Sequence, residues 1–302
     1  MSAVELVPVA FDGYGRDGHQ ARAAAALRAA GIERAFGARE VVTGPEIVQR
    51  DPSPERAPGS GMMNEAALLD VVDELSARVR AAVEAGRTPF VYGGDCGCLL
   101  GAFTGVRDAA GPVGLLLVDG HEDTTPLDAS DEGEVANMET GLLLGLTGRL
   151  AHPRLRARLP ALEPDALAML GQRDDVLRRL LNVASLRDRG VWLRRHDEVA
   201  ADPERLAREA VAHVRRAAPG WWLHLDIDVL AQDEFIAQRV PNDVDEEGGL
   251  RWPELLVLVR AALSAGGCLG WSLAIYDPDQ DSSGEEAARI VAFIGEVAGA
   301  LF

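Results

Sequence analysis

Three residues that can bind a metal ion alternate along one short segment of this sequence. Asp119, His121 and Asp123 follow four consecutive apolar residues, 115–118, in the segment 114–123. Such a run between turn-forming residues is typical of a strand buried on both faces, as in a parallel sheet. In extended backbone, residues i, i+2 and i+4 point to one side, so two carboxylates and one imidazole would face a single point. Oxygen donors with one imidazole suit a divalent cation such as Mn²⁺; the alternative is a solvated acidic loop after the strand.

Two further apolar segments end in residues of the same kind. Segment 221–230 carries Asp226 and Asp228, and segment 89–96 ends in two glycines followed by Asp95 and Cys96. Two like charges at a buried strand end are costly unless a cation offsets them. Ligands of open α/β sheets bind at the carboxyl ends of the strands, so we expect the three segments to share one site.

In their order and spacing, these three segments resemble the signatures of the ureohydrolases, the family of arginase, agmatinase and formiminoglutamase. The family motifs Gly-Gly-Asp-His, Asp-Ala-His-x-Asp and Asp-x-Asp correspond to residues 93–96, 119–123 and 226–228. Weaker resemblance extends from residues 11–13 to residues 276–278. It implies a three-layer α/β/α fold with a mainly parallel central sheet.

The resemblance also implies a ligand set for two Mn²⁺ ions. The first ion would be bound by Cys96, Asp119, Asp123 and Asp226. The second would be bound by Asp119, His121, Asp226 and Asp228, with Asp228 also orienting the attacking water. A metal-activated water would then hydrolyse a linear C–N bond that is not a peptide bond. By the same resemblance, the partners would be a small-molecule substrate and further copies of the chain in a trimer or hexamer.

Two positions near the expected metals depart from the family pattern. Cys96 stands where the family has a histidine, and a thiolate favours softer metals than Mn²⁺, so another divalent metal could replace it. Alternatively, Cys96 is a small buried residue and only one metal binds. Glu139 stands where the family has a proton-shuttling histidine, and it is either a general acid–base or a surface helix residue.

The positions that would contact the substrate depart further. Ile275 occupies the place of the family glutamate that binds the guanidinium group, and Asp277 is a candidate substitute. Val176 and Arg179 replace the acids that recognise the α-amino group in arginases. We therefore expect a hydrolase of a guanidino, amidino or formimino compound other than arginine. The alternative is a family member that binds metal without catalysis.

Composition narrows the classes of partner. The 302 residues include 30 basic and 48 acidic residues, for a formal net charge of −18. This charge argues against nucleic acid and anionic membranes as partners. Three cysteines do not indicate a disulfide framework. No signal peptide or run of ~18 apolar residues is found, and we expect a cytoplasmic protein.

Hydrophobic patterns predict one α/β domain over residues 1–302, because strands and helices alternate along the chain. Asn64 is predicted to cap the second helix. The predicted helices are 21–30, 64–86, 97–109, 137–145, 155–162, 203–218, 252–265 and 284–301. The predicted strands are 4–11, 40–42, 89–91, 115–118, 166–170, 191–193, 221–226 and 268–276.

Overall fold

A computed structural model of the protein describes residues 3–147, 150–238 and 247–300. Within these residues the backbone forms nine strands, and all the paired strands run parallel. The strands are β1 (Val4–Ala10), β2 (Val41–Thr43), β3 (Ile47–Val48), β4 (Thr88–Tyr92), β5 (Val113–Val118), β6 (Leu167–Gln172), β7 (Trp192–Arg195), β8 (Gly220–Asp226) and β9 (Cys268–Ala274).

The strand order brings the three metal-binding segments together. It runs β2-β1-β4-β9-β8-β5-β6-β7, and the short strand β3 pairs with β1. In the register of β5 with β8, Val118 lies beside Leu225, so the next residue of each strand, Asp119 and Asp226, leaves the sheet at the same level. β4 lies one strand further, beyond β9. The prediction of a mainly parallel α/β sheet is confirmed.

Helices cover both faces of this sheet. The α-helices of the described residues are α1 (Ala23–Ala30), α2 (Glu65–Glu84), α3 (Cys98–Ala110), α4 (Glu139–Leu143), α5 (Pro153–Arg156), α6 (Asp175–Leu180), α7 (His196–Ala201), α8 (Pro203–Ala217), α9 (Trp252–Ser264) and α10 (Glu285–Ala298). One apolar core contains residues of α2, α3 and α4, and the other contains residues of α1, α8, α9 and α10. The sheet is therefore the middle of three layers, as expected.

β5 shows why its sequence is apolar without alternation. Leu115 and Leu117 belong to the core with α2 and α3, whereas Leu116 and Val118 belong to the core with α8 and α9. All six residues of the strand are buried. A strand covered on both faces needs apolar residues at every position.

One helix prediction was wrong, and the predicted N-cap of α2 is right in position but makes no capping hydrogen bond. The helix predicted over 155–162 ends at Arg156, because the residue before Pro160 is disfavoured in the helical region and proline has no N–H to donate. Asn64 precedes α2 with φ of 49° and makes no side-chain cap. Its side chain instead accepts a hydrogen bond from Ser53 N and donates one to Asp12 O.

The other predicted helices agree with the structure apart from their ends, whereas α6 and α7 were not predicted. Helix α10 ends at Ala298, and the predicted end at residue 301 lies outside the described residues. None of the helices in the described ranges is long and apolar enough to cross a bilayer.

Candidate metal centre

The turn after β4 returns Cys96 to the sheet edge. Gly93 and Gly94 have φ angles of 84° and 72°, which side chains other than glycine rarely adopt. A Cβ atom on Gly93 would lie 2.7 Å from both Ala24 N and Val9 O. This position therefore requires glycine, and Cys96 follows it with 1% of its surface exposed.

Cys96, Asp226 and Asp228 form a chain of contacts across the strand ends. The Cys96 thiol donates to Asp226 Oδ2 over 2.5 Å, and Asp226 Oδ1 accepts from Asp228 N at 2.8 Å. Asp228 Oδ1 accepts from Gly120 N at 3.0 Å, and its Oδ2 lies 2.8 Å from His121 Nδ1. The second and third motifs are thus joined by direct contacts.

Asp119 lies at the centre of these groups. Its Oδ1 accepts a hydrogen bond of 2.6 Å from His121 N. Its Oδ2 is buried and has no hydrogen-bond partner among the described residues. Asp119 belongs to three groups whose possible ligand atoms lie within 4.8 Å of one another. These groups are Asp119, His121 and Asp228; Asp119, Asp123 and Glu139; and Cys96, Asp119 and His224.

Burial and mutual repulsion raise the pKa of most acids here. Burial is the largest cause for Asp119, Asp123, Asp226 and Glu139, followed by neighbouring carboxylates for the first three. Both carboxylate oxygens of Glu139 are buried and have no hydrogen-bond partner among the described residues. The pKa of Asp228 is lowered, because the charge and hydrogen bond of His121 outweigh its burial. A buried unpartnered oxygen among crowded carboxylates fits a bound cation, which would remove the repulsion.

The expected metal ligands lie together in the structure. Asp277, one of the expected catalytic residues, is separated from them. Cys96, Asp119, His121, Asp123, Asp226 and Asp228 meet at the carboxyl edge of the sheet. Glu139, at the start of α4, is 0% exposed, so it is not a surface helix residue.

Asp277 and Asp95 have structural partners instead. Asp277 Oδ2 lies 2.9 Å from His19 Nδ1 and accepts from Gln280 Nε2 at 2.7 Å. Asp95 accepts from the backbone N–H groups of Gly13 and Gly97. Asp95 therefore joins the first loop of the chain to the turn after β4.

A cavity of about 290 Å³ opens above the strand ends. Its floor includes His121, Asp123, Asp226 and Asp228, and Ile275 lies beside them in the lining. Asp277 is not among the described residues that line it. The arrangement can bind a small molecule directly over the cluster of candidate metal ligands.

The sequence profile of the arginase family matches residues 2–298. The chain belongs to the arginase family. The arginase of Bacillus caldovelox is 26% identical over 243 residues, which cover 80% of this chain and 78% of that protein. The arginase of Eremothecium gossypii is 38% identical over 109 residues, or 34% of this chain and 27% of that protein.

Solved structures of the arginase family share the fold over the whole chain. The structure of the Bacillus caldovelox arginase has a TM-score of 0.85 at 24% identity and covers 99% of both chains. Formimidoylglutamase from Bacillus subtilis has a TM-score of 0.74 at 15% identity and covers 100% of this chain and 87% of its own. At these identities the likeness concerns the fold alone.

This arginase-family centre contains one residue that sequence reasoning missed. His224 is 1% exposed, and its Nε2 lies 3.4 Å from Cys96 Sγ. It precedes Asp226 by two positions in β8, so the period of a strand places both side chains on one face. The same alternation that identified Asp119, His121 and Asp123 could have identified His224.

The part of the cavity lining formed by α6 also differs from expectation in this arginase-family chain. Val176 and Arg179 are exposed and are not among the described residues of the cavity lining. Their neighbours Leu177 and Arg178 line it instead. The Arg178 guanidinium forms ion pairs with Asp174, Asp175 and Glu122. The prediction that Arg179 would face the substrate was wrong, because the turn of α6 directs the two preceding residues inward.

Proposed function

We propose that this protein is a dinuclear metal hydrolase that cleaves a linear C–N bond in a guanidino, amidino or formimino compound, and that L-arginine is a poor substrate. The observation that carries the proposal is the convergence of the three strand-end motifs at one edge of the sheet, where residues of the second and third motifs line a single cavity. Membership of the arginase family supports the same class of chemistry.

The donor set suits two cations that share Asp119 and Asp226. Cys96 and Asp123 would complete one position, and His121 and Asp228 the other. Both ions would be Mn²⁺, or another divalent metal where the Cys96 thiolate binds. When bound, such a pair supplies an activated water as nucleophile at neutral pH.

The chain's own side chains would position the reactants and move protons. Asp228 is fixed by Gly120 N and His121, and it lines the cavity, so it can orient a water above the floor. Glu139 lies beside Asp123, and burial raises its pKa above the usual range of a carboxyl group. A carboxyl group with a raised pKa can donate a proton to a leaving amine near neutral pH.

The cavity walls support a substrate other than arginine. Ile275 presents an alkyl chain where a guanidinium group would need an anion, which disfavours a strongly cationic head group. The loop wall carries Asp131, Glu132 and Glu134, which would repel a distal carboxylate. These walls favour a weakly basic amidine, such as an N-hydroxyguanidine or a formimino compound, without a carboxylate at its far end.

A substrate panel tests this proposal. Protein loaded with Mn²⁺ would be incubated with paired guanidino, N-hydroxyguanidino and formimino compounds that differ in a distal carboxylate. Release of urea, hydroxyurea or formamide would be measured, with Asp226→Asn as the inactive control. We expect turnover of the weakly basic compounds that lack the carboxylate. Metal binding without any product would instead support a non-catalytic metal-binding protein.

We also propose that the protein is a homo-oligomer, a trimer or hexamer, by analogy with its family. Sedimentation of the metal-loaded protein would test this proposal. A monomer of 32.2 kDa at micromolar concentration would contradict it.

A further inference from the structure

His224 lies directly behind the cavity floor, in contact with the thiol that replaces the family histidine. Its Nε2 is 3.4 Å from Cys96 Sγ, and its Nδ1 is 2.7 Å from Ser272 Oγ. His224 and Ser272 are paired in the register of β8 with β9. Two neighbouring strands therefore fix the imidazole in place.

The hydrogen bonds of Ser272 are compatible with a tautomer of His224 that can bind a metal beside the thiol. Ser272 Oγ accepts a hydrogen bond of 2.9 Å from Trp222 Nε1, which can only donate. In the tautomer that carries its proton on Nδ1, His224 donates to the second lone pair of Ser272 Oγ, and the lone pair of Nε2 faces Cys96. Histidine ligands of metals are commonly held in this way by a hydrogen bond at the other ring nitrogen.

The separation between the two donors matches one shared metal. A Zn–S bond of about 2.3 Å and a Zn–N bond of about 2.0 Å at the tetrahedral angle place sulfur and nitrogen about 3.5 Å apart. The observed separation is 3.4 Å. Asp119 supplies the third donor, and the ligand atoms of Cys96, Asp119 and His224 lie within 4.8 Å of one another. The buried Oδ2 of Asp119 has no hydrogen-bond partner among the described residues.

We propose that Cys96, His224 and Asp119 together bind one cation of the centre, and that this position selects Zn²⁺ over Mn²⁺. This inference rests on the proposed metal centre. Thiolate and imidazole donors favour Zn²⁺, whereas carboxylate oxygens suit Mn²⁺. The position of Asp119, His121 and Asp228 has harder donors and can keep Mn²⁺. The replacement of the family histidine by Cys96 would thus be compensated by an imidazole from β8, which lies two strands from β4 in the sheet.

Metal competition and X-ray absorption of the full-length protein test the inference without an activity assay. Metal-stripped protein would be loaded with one equivalent of Zn²⁺ in a large excess of Mn²⁺ and then dialysed. We expect one Zn²⁺ per chain to remain. The zinc edge should show one sulfur neighbour at about 2.3 Å together with imidazole scattering.

Substitutions assign the ligands. We expect His224→Ala and Cys96→Ser each to weaken Zn²⁺ binding by at least about 100-fold, since each removes a direct ligand. The control His213→Ala removes a half-buried histidine of α8 that interacts with Arg216, and it should bind Zn²⁺ as the unmodified protein does. Ser272→Ala should weaken binding by about 10-fold, because it frees the imidazole. Cys96→His should shift the preference toward Mn²⁺.

The outcomes separate this inference from the proposed function. A zinc site with only oxygen and nitrogen neighbours would overturn the inference, as would unchanged Zn²⁺ affinity in His224→Ala. His224 and Cys96 would then be a hydrogen-bonded core pair, while turnover of the substrate panel could still support the hydrolase. Zinc bound with sulfur and imidazole but no turnover would support the inference and contradict the hydrolase. If His224→Ala does not fold, the absorption spectrum of the unmodified protein still decides the ligands.

Discussion

The floor of the cavity is built from the ends of buried strands, whereas its walls are built from a loop and a short helix. On the floor, backbone N–H groups of Gly120, His121 and Asp228 hold the carboxylates of Asp228, Asp119 and Asp226. These residues follow strands that are covered on both faces, so their positions are fixed by the sheet.

One side chain, that of Arg56, makes several of the hydrogen bonds that hold the loop wall. Arg56 donates to the carbonyl oxygens of Gly61, Ser130 and Asp131, with donor–acceptor distances of 2.7, 2.9 and 2.7 Å. Asp131 and Glu132 remain exposed on this wall. Loops tolerate substitution far better than buried strands do. We therefore expect the floor to tolerate substitution less well than the loop wall.

We expect the largest difference in kcat/KM when one carboxylate of the floor and one of the wall are each replaced by the neutral amide. Asp226→Asn removes an anionic donor shared by both proposed metals, and we expect kcat/KM to fall by about 10³-fold or more. Asp131→Asn removes an exposed, solvent-screened charge, and the change should stay below about 10-fold. Steady-state kinetics on the best substrate of the panel compares the two, and equal effects would contradict the distinction.

The next prediction concerns the turnover of arginine, which depends on the side chains of the cavity wall. Without an anion for its guanidinium, arginine would forgo a charged hydrogen bond that contributes ~1.5–3 kcal/mol. Its turnover should then be slower than that of usual enzymes by about one to two orders of magnitude. Ile275→Glu restores an anion and should raise arginine turnover by about 10- to 100-fold, and Ile275→Gln is the uncharged control. Urea release from arginine at an ordinary enzymatic rate by the unmodified protein would show that this prediction is wrong.

Glu139 lies beside Asp119 and Asp123, and its substitution tests its role in proton transfer. Glu139→Gln keeps the size of the side chain but removes the titrating group, so kcat should fall by about 10²-fold. The pH–rate profile should also lose one limb. Glu132→Gln on the exposed wall is the matched control. A variant that loses rate but keeps both limbs of the profile would assign Glu139 to metal binding or structure.

The smallest of the predicted effects concerns thermal stability. We expect metal removal to change how the thermal stability of the protein depends on pH. The pKa values of Asp119, Asp123, Asp226 and Glu139 are raised in the folded, metal-free protein. An acid with a raised folded pKa binds more protons when folded, so stability falls as pH rises above the pKa of the unfolded chain. The lowered pKa of Asp228 acts in the opposite direction. Because four of these five acids have raised pKa values, we expect the net stability to fall as pH rises.

We therefore expect chelator-treated protein to lose several degrees of Tm between pH 5 and 8, and metal-loaded protein to lose less. Differential scanning fluorimetry with and without chelator measures both slopes. Parallel slopes would mean that the carboxylate cluster is not relieved by metal.

Local sequence predicted most of the strands and the residues at their ends. The apolar run 115–118 predicted a doubly covered strand, and the alternation of Asp119, His121 and Asp123 predicted a shared focus. The first prediction is confirmed, but residues 119–123 are not extended as expected. The chain bends at Gly120 and His121, and Asp123 has φ of 47°, so a turn after β5 brings these side chains together. The helix predicted over 155–162 was wrong because the effect of Pro160 was overlooked, although this signal is also local.

Contacts between distant segments decided the rest of the site. Asp277 could not be known to pair with His19, nor Asn64 with Asp12 and Ser53, because these partners are far apart in sequence. Arg178 rather than Arg179 lines the cavity because of the way α6 packs. The sequence by itself determined the alternating α/β elements and the donors at each strand end. Only the tertiary structure placed the imidazole of His224 beside Cys96, since strand order and register, not local preference, determine which strand ends meet.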